Sequence, residues 1–328
     1  MKSLRRLVQA LSLTLVLSAP AAAFEMPSEW LSAHFQDNPL VGSLWSGDGR
    51  RSDAAALTAA LGGADFVLAG EIHTNPDHHA IQAGIVEAWV AAGRRPAVVF
   101  EMISADEAPA LDTFLARPGA TAEGFGAAVK WTERGWPDFA MYRPVVAAAM
   151  AHRLPLHAGD LGRETIRRIG REGVKSLPAG EVGRLGLDGP MPGGTEETLT
   201  AELKASHCGL LPDEALAPML MVQRARDGAL AKALIEASGH RHGLLIAGAG
   251  HVRTDYAVPA LLRARKPDAT IVSIGMMEVS DGKTALADYG ISAATPAPYD
   301  FVLFTPRADL ADPCEGMAEA MKTMAPAK

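Results

Sequence analysis

The chain has 328 residues, of which 48% are hydrophobic and 21% are charged, and its formal net charge is −7 at pH 7. An acidic chain argues against nucleic acid and anionic membrane surfaces as its main partners. The length and the apolar fraction are sufficient to bury a sizeable core, and the sequence contains no internal repeat or long low-complexity run.

The first 23 residues have the pattern of a secretory signal peptide. Three basic residues among the first six precede a mostly apolar stretch over residues 11–17, and three alanines at 21–23 offer a cleavage site. The apolar stretch is too short to span a bilayer, and no cysteine lies near the cleavage point for lipid attachment. We expect a mature chain of residues 24–328 with a net charge of −10, which is periplasmic or secreted.

Six short apolar runs along the chain are typical of strands buried on both faces. Because helical patterns separate several of them, the sequence predicts an α/β fold with a mostly parallel central sheet flanked by helices. The predicted strands are Asp65–Ala69, Ala97–Glu101, Leu154–Ala158, Gly243–Ala247, Ala269–Gly275 and Asp300–Thr305.

The connections between these strands are predicted to be helical. A first crossover helix is expected over residues 76–92, where Asn75 can cap its start and Gly93 can end it. Residues 163–240 contain no strand pattern and end in a long helical pattern over Asp213–Ser238. The mature chain is therefore predicted to be one domain with a helical insertion, at about 163–240, between the third and fourth strands.

The sequence Gly-x-x-His occurs twice, each time directly after a predicted strand. The first copy spans residues 70–73 (Gly-Glu-Ile-His) and the second spans residues 248–251 (Gly-Ala-Gly-His), while Glu101 ends the second predicted strand. In a parallel sheet these strand ends meet at one edge, where α/β proteins place their sites. The two histidines, with Glu71 and Glu101, form a candidate metal, haem or acid/base site.

Two neighbouring segments add candidate ligand-binding residues. His78 and His79 are adjacent on the first predicted helix, so both cannot face one site, and the position of His78 in the first turn favours it. Tyr142 and Arg143 lie in an aromatic-rich segment at 130–144. Such a segment can line an apolar planar ligand, and a tyrosinate can bind ferric iron, but a helix packed through its aromatic side chains is equally compatible.

The third strand and the long helix carry further polar residues. Asp160 follows the third predicted strand and is expected to reach the same edge. Gln223 and Asp227 are four residues apart and share a helix face, and Arg226 lies between them in the sequence. Although Arg226 can pair with a propionate or a phosphate, a structural hydrogen-bond network is favoured for these residues.

The sequence contains two cysteines, Cys208 and Cys314. A disulfide between them is permitted in an oxidising compartment and would join the helical middle of the chain to its C-terminal tail. The sequence alone leaves this pairing open, because it does not show whether the two Cα atoms approach closely enough.

Several short motifs occur in one order along the chain, and together they are more specific than any one of them. They lie at residues 70–79, 99–102, 136–137, 142–144, 207–209, 223, 226–227 and 248–251. In these motifs and their order the chain resembles the ChaN-type haem-binding uptake family, part of the Tiki/TraB/erythromycin-esterase-like superfamily, over roughly residues 60–305. The resemblance implies an exported α/β protein tied to haem or iron uptake, with a possible homodimer and a possible uptake-system partner protein.

The resemblance implies a haem site as the leading hypothesis. Haem would lie in a cleft at the carboxyl ends of the strands, covered in part by the helical insertion. Tyr142 is the implied iron ligand, and the other expected haem-binding residues are His73, His78, Arg143 and His251.

The alternative hypothesis is a metal-dependent hydrolase of the Tiki/TraB type. In that case His73, Glu101 and His251 would bind a divalent metal ion, and Glu71 or Glu101 would act as the catalytic carboxylate. The sequence lacks the G-x-S-x-G pattern, which disfavours a serine hydrolase with a nucleophile elbow. A third hypothesis retains the fold without chemistry, as a module that binds a partner.

Overall fold

A computed structural model of the protein describes residues 23–239, 242–312 and 314–317. Its centre is an eight-stranded sheet with the order β2-β1-β8-β7-β3-β6-β4-β5. The strands are β1 (Leu44–Ser46), β2 (Arg51–Ser52), β3 (Phe66–Glu71), β4 (Ala97–Ser104), β5 (Leu156–Asp160), β6 (Gly243–Gly248), β7 (Ile271–Glu278) and β8 (Phe301–Thr305). Apart from Ala23, the predicted signal peptide lies outside the described residues.

The α/β fold with a mostly parallel sheet is confirmed. Strands β3 to β8 pair in parallel, whereas β1 pairs antiparallel with β2 and with β8. We call the edge at which the parallel strands end the carboxyl edge. The sequence patterns did not predict β1 and β2, because strands of three and two residues are too short to show an alternating pattern.

Helices cover both faces of the sheet. They are α1 (Ala54–Gly63), α2 (Pro76–Ala91), α3 (Ala108–Leu115), α4 (Ala122–Ala128), α5 (Phe139–Ala151), α6 (Arg163–Glu172), α7 (Glu181–Leu185), α8 (Thr195–Ser206), α9 (Asp213–Ser238) and α10 (Val258–Arg265). Successive β3 side chains point to opposite faces, so Val67 packs with α1, α2 and α5, while Leu68 packs with α9 and α10.

The first crossover helix begins and ends where its sequence predicts. The Asn75 side chain accepts hydrogen bonds from the amides of residues 77 and 78, Pro76 occupies the first turn, and Gly93 follows with a φ of +80°. This cap fixes the start of α2 at the carboxyl edge. The histidines of its first turn are thereby held close to the end of β3.

The helical insertion between the third and fourth predicted strands is also present. Helices α6 to α9 lie between β5 and β6, and α9 spans the predicted residues. Leu230 and Leu234 of α9 are buried against the sheet, where they pack with Val99 and Leu245. The middle of α9 carries the polar residues Gln223, Arg226 and Asp227, which contact Glu101 and His251 at the carboxyl edge.

The two cysteines form a disulfide. Cys208, after α8, is bonded to Cys314, and their Cα atoms are 5.6 Å apart. The bond joins the helical insertion to the segment that follows β8, which resolves the pairing that the sequence left open.

Candidate functional site

The register of the central strands places the two Gly-x-x-His motifs side by side. Strands β3 and β6 are direct neighbours, and Glu71 is aligned with Gly248. After β6 the chain forms a short 3-10 helix, Ala249–Val252, which contains His251. Both motifs and the carboxylate of Glu101 on β4 therefore meet at the carboxyl edge, as the sequence predicted.

The chains approach closely at two of these glycines, and at residue 70 the approach excludes any side chain. A Cβ atom at residue 70 would lie 2.3 Å from Val252 Cγ2, and one at residue 248 would lie 3.1 Å from His73 Nε2. The first distance is too short for any side chain, so Gly70 allows the 3-10 helix to pack against β3. Gly248 allows the His73 ring to lie against β6.

Glu71 is the centre of a buried polar cluster that also contains His73, His79, Gln82 and Tyr142, here called the Glu71 cluster. Its Oε1 accepts hydrogen bonds from the Tyr142 hydroxyl and from His73 Nδ1, the latter at 2.8 Å. Its Oε2 accepts from Gln82 Nε2 at 2.5 Å and lies 3.2 Å from His79 Nδ1.

The Glu71 cluster keeps its carboxylate charged and its tyrosine neutral. Burial disfavours the Glu71 charge, but the charge of His79 and the hydrogen bond from His73 hold the pKa of Glu71 far below its ordinary value. Burial and the Glu71 charge together raise the pKa of Tyr142, so its hydroxyl remains a donor. The fully buried Tyr142 thus presents its oxygen to Glu71 inside the protein.

Glu101 is the centre of a second cluster, which also contains Asp160, Arg226, Asp227 and His251 and is here called the Glu101 cluster. Glu101 Oε1 accepts from Arg226 Nη2 at 2.7 Å and lies 3.2 Å from His251 Nε2. Its Oε2 accepts the backbone amide of Gly248 at 2.7 Å. Arg226 also bonds to Asp160 Oδ2 through its Nε at 2.8 Å.

His251 is held between two carboxylates. Its Nδ1 lies 2.6 Å from Asp227 Oδ1, and its Nε2 faces Glu101. Burial works against the charged form, but the charges of Glu101 and Asp227 raise the pKa of His251 to about 10. Both ring nitrogens of His251 therefore donate hydrogen bonds at neutral pH and are not free to bind a ligand.

His73 joins the two clusters and is their accessible member. Its side chain is 32% exposed, and its Nε2 lies 3.9 Å from Glu101 Oε2. Burial disfavours its charge, but the hydrogen bond to Glu71 and the charge of Glu101 raise its pKa. The Trp136 ring packs edge-on against the imidazole, with 5.1 Å between the ring centroids. Nδ1 of His73 is therefore fixed by Glu71, while Nε2 is the ring atom without a hydrogen bond among the described residues.

A cleft of about 260 Å³ lies beside Trp136 and Glu101. Its apolar walls come from Trp136, Leu161 and Ile166. Its charged walls come from Glu101, Asp106, Glu107, Arg134, Asp160 and Arg163. One wall is therefore formed by α6, the first helix of the insertion. The sequence hypothesis expected the insertion to cover part of the haem cleft.

None of the five predicted haem-binding residues lines this cleft directly. His73 contacts the lining residue Trp136, and His251 contacts the lining residue Glu101. His78 is fully buried and bonds to the Ile72 amide at 2.8 Å and to Thr305 Oγ1 at 2.9 Å, and its burial beside His79 lowers its pKa to about 3. Arg143 is exposed on α5. Tyr142 is in the Glu71 cluster, behind His73.

The sequence patterns did not predict the role of His79. For Asp227 they predicted only a structural hydrogen-bond network. His79, rather than His78, faces Glu71, and its ring stacks on Tyr142 with 3.7 Å between the centroids. Because adjacent residues on a helix point in different directions, only one of the two histidines could face the site, as predicted. Which histidine does so depends on the rotation of α2 about its axis. The sequence does not show this rotation, because α2 is buried on more than one side. The four-residue spacing of Gln223 and Asp227 was a usable signal, because both side chains contact His251 Nδ1.

The metal centre expected at His73, Glu101 and His251 is not formed by these side chains. Among the described residues, no group of three or more His, Cys, Asp or Glu side chains has an arrangement that could hold a metal ion. The geometry gives the reason, because His251 uses both nitrogens on carboxylates and Glu101 is bonded to Arg226 and to an amide.

Comparison with known proteins agrees with the order of motifs. The family described as "Haem-binding uptake, Tiki superfamily, ChaN" matches residues 57–262, a range that contains both Gly-x-x-His motifs and both clusters. The chain belongs to this family. A search of curated proteins finds no match.

One solved structure shares the fold of this ChaN-family chain at a TM-score above 0.5. ChaN of Campylobacter jejuni, described for cofacial haem binding, matches with a TM-score of 0.60 at 20% identity, over 79% of this chain and 95% of that one. This likeness shows the fold alone. Weaker similarity is found to the type III effector HopBA1, with a TM-score of 0.43 at 14% identity over 76% of this chain and 91% of its own, and to the erythromycin esterase EreC, with 0.43 at 12% identity over 79% and 95%.

Within the described residues, no helix has the length and apolar character needed to cross a bilayer.

Proposed function

We propose that this ChaN-family chain is an exported haem-binding protein that takes part in haem or iron uptake. The haem would lie over the cleft at the carboxyl edge. His73, which contacts the lining residue Trp136 without lining the cleft itself, would bind its iron. Family membership supports haem as the ligand, and the signal-peptide pattern and the disulfide support export.

The observation that carries the site assignment is the orientation of His73. A histidine that binds a metal normally donates its other ring N–H to a carboxylate, which fixes the tautomer and leaves a lone pair on the binding nitrogen. Nδ1 of His73 is bonded to the buried Glu71 carboxylate at 2.8 Å, and the side chain is 32% exposed. His73 is thus oriented to bind an iron ion through Nε2, and binding would release the proton that its raised pKa favours there.

The walls of the cleft suit a flat, largely apolar ligand. Trp136, Leu161 and Ile166 provide apolar contact, and the Trp136 ring also holds the imidazole of His73 in place. The volume of about 260 Å³ is just below the range of about 300–1,000 Å³ usual for small-molecule pockets, so part of the ligand would stay outside the cleft. Bound haem would supply the iron centre and its absorption bands.

Tyr142 is given a positioning role in this proposal. Its hydroxyl is buried and donates to Glu71, and its pKa is raised, so the tyrosinate needed to bind ferric iron is disfavoured. Tyr142 therefore orients Glu71, which in turn orients His73.

The test is a titration of the purified protein with hemin, followed by absorbance in the Soret region. We expect saturable binding, and His73→Ala should weaken it by at least about tenfold, as loss of a metal ligand or its support does. Tyr142→Phe should bind more tightly than His73→Ala. His152→Ala, which removes a histidine of the ion pair with Glu87 on the far end of α5, is the matched control and should bind like the wild type.

Two results would contradict the proposal. If the protein showed no saturable hemin binding, the proposal that it binds haem would be wrong. If His73→Ala bound hemin with unchanged affinity, the assignment of His73 as the iron ligand would be wrong. Metal content should be measured on the same preparation, because weak hemin binding together with stoichiometric divalent metal would favour the hydrolase hypothesis instead.

A further inference from the structure

The carboxylates that line the cleft already have donors. Glu101 and Asp160 share the guanidinium of Arg226, at 2.7 and 2.6 Å. Asp106 accepts the backbone amide of Arg163 at 2.8 Å. Glu107 accepts the hydroxyl of Ser104 at 2.6 Å and lies 3.2 Å from Arg134 Nη2. Each of these carboxylates is therefore already paired with at least one donor of the protein.

Donors remain on the same walls. The Arg163 side chain is exposed, and no carboxylate of the described residues lies within ion-pair distance of it. Arg134 is largely buried, and its Nη1 has no hydrogen-bond partner among the described residues. An arginine has five donors in a fixed fork and remains charged, so both residues add positive potential to the cleft.

The start of α6 also faces the cleft. The helix begins at Arg163, without a side-chain cap at Gly162, and its first turn lines the cleft through Arg163 and Ile166. The Asp106 carboxylate accepts the first amide of the helix and so takes up the favourable charge interaction at this end. Among the described residues of the first turn, the guanidinium of Arg163 is therefore the group that can pair with a ligand.

We propose that the cleft binds its ligand through a carboxylate, which pairs with Arg163 at the start of α6 while the apolar part lies between Trp136 and Ile166. This inference rests on the proposed function and deepens it. Haem carries two propionate carboxylates on one edge of a flat ring, and the cleft has charged donors on one wall and apolar side chains on the others. Arg163 is thus assigned as a specificity residue for the charged edge.

The experiment compares hemin with hemin dimethyl ester, in which both carboxylates are neutral. The wild-type protein should bind hemin about three- to tenfold more tightly than the ester, as expected for a charge-assisted hydrogen bond at a partly exposed position. Arg163→Ala should bind both ligands with nearly the ester's affinity, and Arg163→Lys should keep part of the preference because it keeps the charge but loses the fork. The preference should also shrink at high salt.

Arg167→Ala is the matched control. Arg167 lies one turn further along α6, is exposed, and pairs with Glu164 at 3.7 Å outside the cleft. This variant should keep the full preference for hemin. A loss of preference in both variants would show that net charge, rather than the position of Arg163, decides the affinity, and would overturn the assignment.

The results separate the two proposals. Equal affinity of the wild-type protein for hemin and its ester would overturn the carboxylate assignment and leave haem binding standing. Failure to bind either compound would overturn the proposed function and this inference with it. If both compounds bound and Arg163→Ala kept the full preference for hemin, another residue would bind the carboxylates, and the assignment of Arg163 would be overturned.

Discussion

At the scale of the residue, the site is a series of charges that neutralise one another inside the protein. His251 is the clearest case, because it donates to Asp227 and to Glu101 and all three are almost fully buried. A buried charge is costly alone, and it is tolerated here because each one has hydrogen-bonded partners. The arrangement therefore makes stability depend on the protonation of His251.

The pH dependence of stability follows from this. The folded protein raises the pKa of His251 from its ordinary value of about 6.5 to about 10. The contribution of His251 to stability is therefore complete below pH 6.5 and is lost as the pH rises towards 10. Urea unfolding of the wild type should show a decline in the free energy of unfolding over this range. His251→Gln should be less stable by roughly 3–5 kcal/mol at pH 6, because Asp227 loses its buried partner, and its stability should change less between pH 6.5 and 9.

The control for this prediction is His152→Ala, which removes the more exposed ion pair with Glu87 and should cost no more than about 1 kcal/mol. This variant should retain the alkaline decline of the wild type. If the free energy of unfolding of His251→Gln fell as steeply with rising pH as that of the wild type, a group other than His251 would be responsible for the loss of stability at alkaline pH.

At the scale of the element, α9 is the helix that connects the sheet to the site. Its C-terminal half packs on the sheet, and its middle turn supplies Gln223, Arg226 and Asp227. The residue after these, Gly228, lies against α7, where a Cβ atom would be 2.1 Å from the carbonyl oxygen of Leu185. The position of the polar residues thus depends on a close approach of two helices.

Gly228→Ala should therefore be destabilising and should weaken hemin binding. The added methyl group must push α7 and α9 apart, at a cost of about 1–3 kcal/mol, and the displacement is transmitted to Asp227 next to it. The measurements are urea unfolding and the hemin titration.

Gly170→Ala in α6 is the matched control for this prediction. There a Cβ atom would lie 3.6 Å from Val222 Cγ2, an ordinary contact, so the variant should be neutral or more stable by about 0.5–1 kcal/mol. Equal effects of the two substitutions would contradict the packing argument.

The elements also show how far the sequence could predict the fold. The parallel strands and α9 were predicted because each is a long enough run of buried residues to show its own pattern. The strand β4 was predicted to end at Glu101, but it continues to Ser104, since Met102 and Ile103 are also buried. A charged residue predicts the end of a buried strand when no partner for it is visible nearby in the sequence. The partners of Glu101 are Arg226 and His251, which lie more than 100 residues away.

The candidate site was predictable only where it lies on strand ends. The positions of His73, Glu101 and His251 follow from parallel strands ending at one edge. The choice of His79 over His78, and the burial of Tyr142, depend on how α2 and α5 rotate against the sheet, which no local spacing specifies. The charge pairs that occupy His251 and Glu101 depend in the same way on the packing of α9.

At the scale of the whole molecule, one covalent link encloses the second half of the site. The disulfide between Cys208 and Cys314 joins positions 106 residues apart, and the enclosed chain contains α9, the 3-10 helix with His251, and three strands of the sheet. A cross-link over such a long loop restricts the unfolded chain strongly, while the folded site does not use it directly.

Reduction should therefore lower global stability without altering the site. For a loop of this length the chain-entropy argument gives about 4–5 kcal/mol, and measured losses for native disulfides are about 2–5 kcal/mol. The double variant Cys208→Ser/Cys314→Ser should unfold at a lower urea concentration than the oxidised wild type, and the reduced wild type should match it. Because neither cysteine contacts His73 or the cleft, the variant should bind hemin with wild-type affinity at low urea. Unchanged unfolding would mean that the loop is already restricted without the bond, whereas a loss of hemin affinity would mean that the link holds α9 in place over the site.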